Sequence, residues 1–198
     1  MAVSPGRGSI DAAAIRAAAL ALFAERGYRA TAMSDIGAAL GIRGPSLYRH
    51  VQSKHALLSD IMLATMRTLL AEQAAALDAG RDVVVQVRRM VEAHVRFHAG
   101  HREEAFVGNR ELDNLEPDAR AEVLALRAQY EHRLRETIER GCALGRFHVA
   151  EPRLASYAIL DMGIGVAVWF RADGPHSVNQ VAYAYAELAT RLLGQGQP

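Results

Sequence analysis

Apolar residues recur along this chain at the three-and-four spacing that gathers them on one side of a helix. Ile15, Ala19, Leu22 and Phe23 make the first stripe, with Ser9 placed to cap it and Gly27 to end it. Ile36 and Leu40 make the second, behind Thr31 as N-cap and ahead of Gly41, which accepts the left-handed turn of a C-cap without penalty. Pro45 suits the first turn of a third helix, where no N–H is needed, and Leu47 and Val51 are its inward side. Ser53 caps a fourth helix from about Lys54 to Asp78, broken at Ala79-Gly80. Val83, Val84, Val87, Met90, Val91 and Val95 mark a fifth; β-propensity alone favours a strand there, but the spacing and the neighbours favour a helix. A short sixth lies within Arg102 to Glu111. Pro117 opens a seventh, with Val123, Leu124, Tyr130, Leu134 and Ile138 inward, closing at Gly141 and Gly145. Pro152 starts an eighth, to about Arg171, and after the turn Ala172 to Pro175 Ser177 caps a ninth, to about Leu193. The expected fold class is all-α, about nine helices, with a three-helix head in residues 1–53 and a helical bundle in residues 54–198.

The second and third helices, joined by a tight glycine turn, read as a helix-turn-helix. Arg43 and Ser46 then sit where a recognition helix offers its N-terminal end to base edges, with Gly44 and Pro45 beside them. Tyr48, Arg49 and His50 fall on its open face, and Thr31, Tyr48 and His50 suit contacts to the sugar-phosphate backbone. Lys54 opposes the dipole at the start of the fourth helix, and a phosphate held there would explain it. The competing reading is a plain three-helix bundle with a polar surface.

At this point the chain resembles a known family. GIRGPSLYRHVQSKHALL is similar to the recognition-helix signature of the tetracycline-repressor-like (TetR) transcription regulators, through Leu47, Tyr48, Ser53, Lys54, Leu57 and Leu58. Phe23, Gly27, Tyr28, Thr31, Ile36 and Gly41 resemble the family's first two helices. Val51, Gln52 and His55 depart from it, standing where Phe, Pro and Glu are usual. The resemblance covers about the first sixty residues and implies a ligand-responsive DNA-binding regulator, most simply a repressor. It further implies a homodimer on a near-palindromic double-stranded operator.

Composition changes the picture little. The 198 residues are 51% hydrophobic, enough for a sizeable core. The single cysteine, Cys142, excludes an intrachain disulfide, and with no secretory signal visible at MAVSPGRGS the expected location is cytoplasmic. The run Ile159 to Phe170 is too short to span a bilayer and contains Asp161, so no membrane is expected as a partner. Net charge is +1, yet residues 1–60 hold seven basic against four acidic side chains, net +3, and the remainder sixteen against eighteen, net −2. The basic end coincides with the helix-turn-helix.

The eighth and ninth helices are unusually apolar. Gly163 and Gly165, with Ala182, Ala186 and Ala189, suggest close approach of another helix, hence a dimer through these two helices. The middle helices are then expected to enclose a small hydrophobic effector against Met90, His94, Phe97, Phe106, Tyr130, Met162, Val166 and Trp169. Trp169-Phe170-Arg171 and Asn109-Arg110-Glu111 resemble family members that sense acyl-CoA thioesters, which would put Arg110, Arg146 or Arg171 on the CoA phosphates. For a cationic ligand, Glu104 or Asp161 would serve. No cofactor and no metal are expected. Two alternatives stay open: a helical metalloenzyme using His94, His98 and His101, and a ligand-blind DNA-binding protein. No Ser-His-Asp set, Cys-His pair or Gly-rich phosphate loop supports an enzyme.

Overall fold

The computed structural model describes residues 11–42, 44–78 and 80–195. Among them are nine α-helices and no strand. They are α1 (Ala12–Arg26), α2 (Met33–Ala39), α3 (Gly44–Leu47), α4 (Lys54–Asp78), α5 (Val83–Gly100), α6 (Arg102–Arg110), α7 (Pro117–Ala143), α8 (Pro152–Trp169) and α9 (Val178–Leu192), with a 3-10 turn at Leu112–Asn114. The Val-rich fifth segment is a helix because the carboxylate of Asp82 caps it, accepting from the backbone of Val84 and Val85. Pro117 and Pro152 stand in the first turns of α7 and α8. Ser177 and Gln180 close a reciprocal capping box at the start of α9. Gly41 turns the chain after α2 at φ +67°, a conformation that side-chain-bearing residues rarely adopt.

Two expected caps differ. Ser9 lies outside the described residues, and the first cap seen is Asp11, whose carboxylate accepts from Ala14. Thr31 does not cap α2: its hydroxyl donates to the carbonyls of Leu22 and Gly27, closing the end of α1. Asp35 instead reaches back to the backbone N–H of Ala32. The third helix is shorter than its pattern suggests. After Leu47 the chain continues as a turn through His50, and Val51 is only half-buried.

Packing falls into two clusters. Ile15, Phe23, Ile36, Leu47 and Leu58 are fully buried in the head, and that cluster continues along α4 to Phe97, Val107 and Tyr130. The second cluster surrounds α5, which lies against α4, α7, α8 and α9. α5 buries Val83, Val87, Met90, Val91 and Val95 against these helices and leaves Arg89 and Arg96 in solvent, while α8 and α9 lie on it with their outer sides open. No helix is long and apolar enough, among the described residues, to cross a membrane.

Candidate DNA-binding head and effector chamber

Leu47 is 0% exposed and anchors α3 in the head core. Around it Tyr48, at 56% exposure, Arg49 and His50 stand in solvent, and Ser46 is half-exposed. These four candidates therefore share one open tip. Arg43 lies outside the described residues; Gly44 and Pro45 open the backbone of α3.

Thr31 is corrected by its geometry, and Lys54 has partners inside the protein. Thr31 is 1% exposed with its hydroxyl satisfied inside the head, so it has no face to offer a phosphate. The Lys54 ammonium donates to the carbonyls of Tyr28 at 2.9 Å and Thr31 at 2.7 Å and lies over the Tyr28 ring at 4.3 Å from its centre. The dipole mismatch that seemed to call for a phosphate is thus compensated internally: Lys54 ties the start of α4 to the segment between α1 and α2.

The same segment is held from the body. Glu111, just beyond α6, accepts from the Tyr28 backbone at 3.2 Å and from the Asn114 amide at 2.6 Å, while Arg29 donates to the Asn114 carbonyl oxygen at 2.8 Å. This clasp joins residues more than eighty positions apart, and periodicity gives no hint of it.

Inside the body a chamber of about 340 Å³ opens between α4, α5, α6, α7 and α8. Of the expected wall residues it brings together His94, Phe97 and Tyr130. Leu69, Leu160 and Ile164 add apolar wall; Glu104 and Asp161 also line it. The Tyr130 hydroxyl lies 3.0 Å from His94 Nδ1, and His94 Nε2 lies 3.0 Å from the Leu160 carbonyl. A carbonyl only accepts, so Nε2 carries the proton and Tyr130 donates to Nδ1. Burial holds His94 neutral, its pKa pulled down to about 3, with the neighbouring His98 adding to the shift. Burial likewise lowers His98 and raises the Tyr130 hydroxyl. Gln73, buried on α4, donates to the Tyr130 carbonyl at 2.8 Å, connecting the chamber wall to the helix that runs to the head.

The other expected wall residues lie elsewhere. Met90 and Val166 are buried in the α5-centred cluster and Met162 packs at its edge, none of them facing the chamber. Phe106 is partly exposed beneath the Arg110 guanidinium, 3.8 Å from its ring centre, so the pair covers the outside of α6. Arg146 pairs with Asp82 at 2.8 Å and Arg171 with Asp173 at 3.0 Å, both at the surface. Trp169 is 48% exposed beside Tyr185. Among the wall residues that the sequence did not single out, beside Leu69, Leu160 and Ile164, is Arg127. A signal existed: Arg127 interrupts the inward row Val123, Tyr130 and Leu134 at the spacing of that row.

The histidines do not converge. His98 Nδ1 bonds the His94 carbonyl and His101 Nδ1 the Phe97 carbonyl, each one turn back on α5. Among the described residues no group of three or more His, Cys, Asp or Glu is placed to hold a metal ion. Gly163, expected at a subunit interface, makes room within the subunit instead: a Cβ there would stand 2.2 Å from His94 Cδ2. Gly165 faces open space. The outer sides of α8 and α9 expose Leu154, Val168, Tyr183, Leu188 and Leu192.

Comparison with known proteins agrees with this architecture. Residues 15–61 match bacterial regulatory proteins of the tetR family, and residues 80–193 match the tetracyclin repressor-like C-terminal domain. A bacterial regulatory protein of the tetR family from Rhodococcus RHA1 has a crystal structure that superposes with a TM-score of 0.88 at 34% identity, covering 96% of this chain and 100% of that one. The HTH-type transcriptional repressor KstR2 of Rhodococcus jostii (strain RHA1) is 28% identical over 173 residues, 86% of this chain and 84% of its own. The crystal structure of AibR in complex with isovaleryl coenzyme A and operator DNA superposes with a TM-score of 0.81 at 25% identity, covering 89% of this chain and 96% of that one. With a tetR-type head and a tetracyclin repressor-like body matched along one chain, this protein belongs to the TetR family of DNA-binding transcription regulators and is not an enzyme.

Proposed function

We propose that this chain is a ligand-responsive repressor that binds a near-palindromic operator as a homodimer in the cytoplasm, with residues 1–53 as its DNA-binding domain and 54–198 as its effector and dimerisation domain. Ser46, Tyr48, Arg49 and His50, with Arg43, Gly44 and Pro45, are its DNA contacts. The observation that carries this reading is the open polar tip of α3 above the buried Leu47. A KstR2 relative bears the name of a transcriptional repressor, which supports the direction of control.

The outer sides of α8 and α9 form the two-fold interface in this reading, supported by their exposed aliphatic side chains and the open space at Gly165. The effector has a compact apolar body that occupies the chamber between His94, Tyr130 and Leu160. An acyl-CoA thioester is the favoured class, supported by AibR, crystallised with isovaleryl coenzyme A and operator DNA. Chamber and head share α4 and α6, through Gln73 at the wall and Glu111 at the clasp. A ligand that shifts either helix alters the spacing of the two heads. By linkage it then lowers DNA affinity by the same factor that DNA lowers its own.

Selection of duplexes from a random pool tests the operator. The expected product is an inverted repeat with half-sites one helical turn, or a multiple of it, apart. A lone unrepeated motif, or no enrichment, would contradict the reading.

A further inference from the structure

Arg127 is the charged position in the inward row of α7, and its environment is unusual. Its Nη2 donates to the Gly108 carbonyl at the end of α6, at 2.6 Å. It forms no ion pair among the described residues, although burial pulls its pKa below the ordinary guanidinium value. A half-buried guanidinium with only a carbonyl for company retains donors for an anion.

Arg127 also sits on a boundary. With Glu131 and Tyr157 it lines both the chamber and a surface cleft of about 600 Å³ beside α7 and α8. There Arg135, Arg153 and His132 join it. Glu131 is the one carboxylate among the cleft's lining side chains, and it is already engaged, accepting from the Ser156 hydroxyl at 2.6 Å and facing Arg135 Nε at 3.3 Å. Arg153 spends its Nε on the Tyr157 hydroxyl and leaves its terminal nitrogens open. Glu104 and Asp161 line the chamber but not the cleft. A largely apolar interior therefore opens into a mouth lined by three guanidiniums, of which Arg135 is already paired with Glu131 and Glu139 while Arg127 and Arg153 keep donors free.

We propose that the α7–α8 cleft binds the anionic head, a phosphate ester or a carboxylate, of an amphipathic effector whose apolar part lies in the chamber, with Arg127 and Arg153 as the anchoring residues. The inference rests on the chamber being the effector site, and it moves the anchor away from Arg110, Arg146 and Arg171, whose side chains are stacked or paired at the surface. It also assigns a route for the signal. An anion that takes the Arg127 fork competes with the Gly108 carbonyl, three residues before the Glu111 carboxylate that clasps the Tyr28 backbone.

The test is calorimetric titration of the intact, DNA-free protein with three probes sharing one chain: 1-octanol, octanoate and octyl phosphate. At least one anionic probe is expected to bind ten-fold or more tighter than octanol, and the tighter of the two identifies the head group. Arg127→Gln and Arg153→Gln should each remove most of that advantage; Arg153→Gln, at a residue that lines the cleft and not the chamber, should leave octanol binding unchanged, and Arg146→Gln alters nothing. Arg153 is at the surface, so its variant keeps the test decisive if Arg127→Gln melts early. Equal binding of the three probes by the wild type, or an advantage that survives both substitutions, overturns the proposal. Ile164→Trp, which fills the chamber, separates the two levels. If octanol binds and this variant abolishes binding, the chamber stands whatever the anionic probes do. If no probe binds, or binding ignores the tryptophan, the chamber reading fails and the anionic mouth with it.

Discussion

Around Tyr48 the head leaves polar and aromatic groups in water above one buried leucine, whereas along α8 and α9 the body leaves aliphatic side chains in water. Solvated polar groups cost little without a partner, so the α3 tip stays open until a polyanion with matching acceptors arrives. Exposed aliphatic surface carries a standing penalty of about 25 cal/mol per Å², so the α8–α9 side calls for a second apolar surface. Two open faces of one molecule thus ask for different chemistry: in the proposed reading, DNA at one end and a copy of this chain at the other.

The sharpest way to break this contrast is to charge the apolar face. Val168→Glu with Leu188→Glu should abolish the dimer in light scattering and, by removing bivalent attachment, weaken operator binding by about a hundred-fold or more. A dimer that persists would move the interface elsewhere. Gly163 and Gly165 sharpen the same contrast, since they are neighbours on α8 with opposite surroundings. Gly163→Ala drives a methyl into the His94 ring and should cost about 1–3 kcal/mol in chemical denaturation. Gly165→Leu should leave monomer stability nearly intact and disturb only association.

The head carries a smaller expected effect at Lys54. Lys54→Met removes two charge-assisted hydrogen bonds to the Tyr28 and Thr31 carbonyls, and should cost about 2 kcal/mol while sparing the chamber. The pH response of the body is a further test. His94 is held neutral with a pKa of about 3, below the ordinary value of 6.5, so the unfolded chain binds the extra proton. The stabilisation is fully present above pH 6.5 and declines as pH falls towards 3. Urea titrations of the wild type and of His94→Gln at pH 5 and 7 check the sign. The variant should lose less stability between the two.

Much of this was legible in the sequence, for particular reasons. The helices follow from spacing and caps because Ser177, Pro117, Pro152 and Gly41 act within a few residues of where they stand. The head was recognisable because its tip is a continuous segment, Ser46 to His50. What escaped were contacts made across the fold. Lys54 looked like a phosphate ligand because its two carbonyl partners lie more than twenty residues upstream. Gly163 looked like an interface residue because small side chains serve close approach to any neighbour, and only the fold shows that the neighbour is His94. Trp169 and Met90 looked like chamber wall because apolar spacing says that a residue turns inward without saying towards which interior. Arg127 was the readable exception, a charge in an inward row.

DNA binding by the α3 tip is tested most directly by one comparison. Operator affinity of the triple variant Ser46→Ala, Tyr48→Ala, Arg49→Ala is measured by fluorescence anisotropy on a duplex selected by the wild type, with the melting temperature taken on the same samples. The account predicts a loss of at least about a hundred-fold, or 2.7 kcal/mol, with the melting temperature essentially unchanged because all three side chains stand at the surface. Wild-type affinity in a variant that is equally stable would place the DNA-reading surface elsewhere on the molecule.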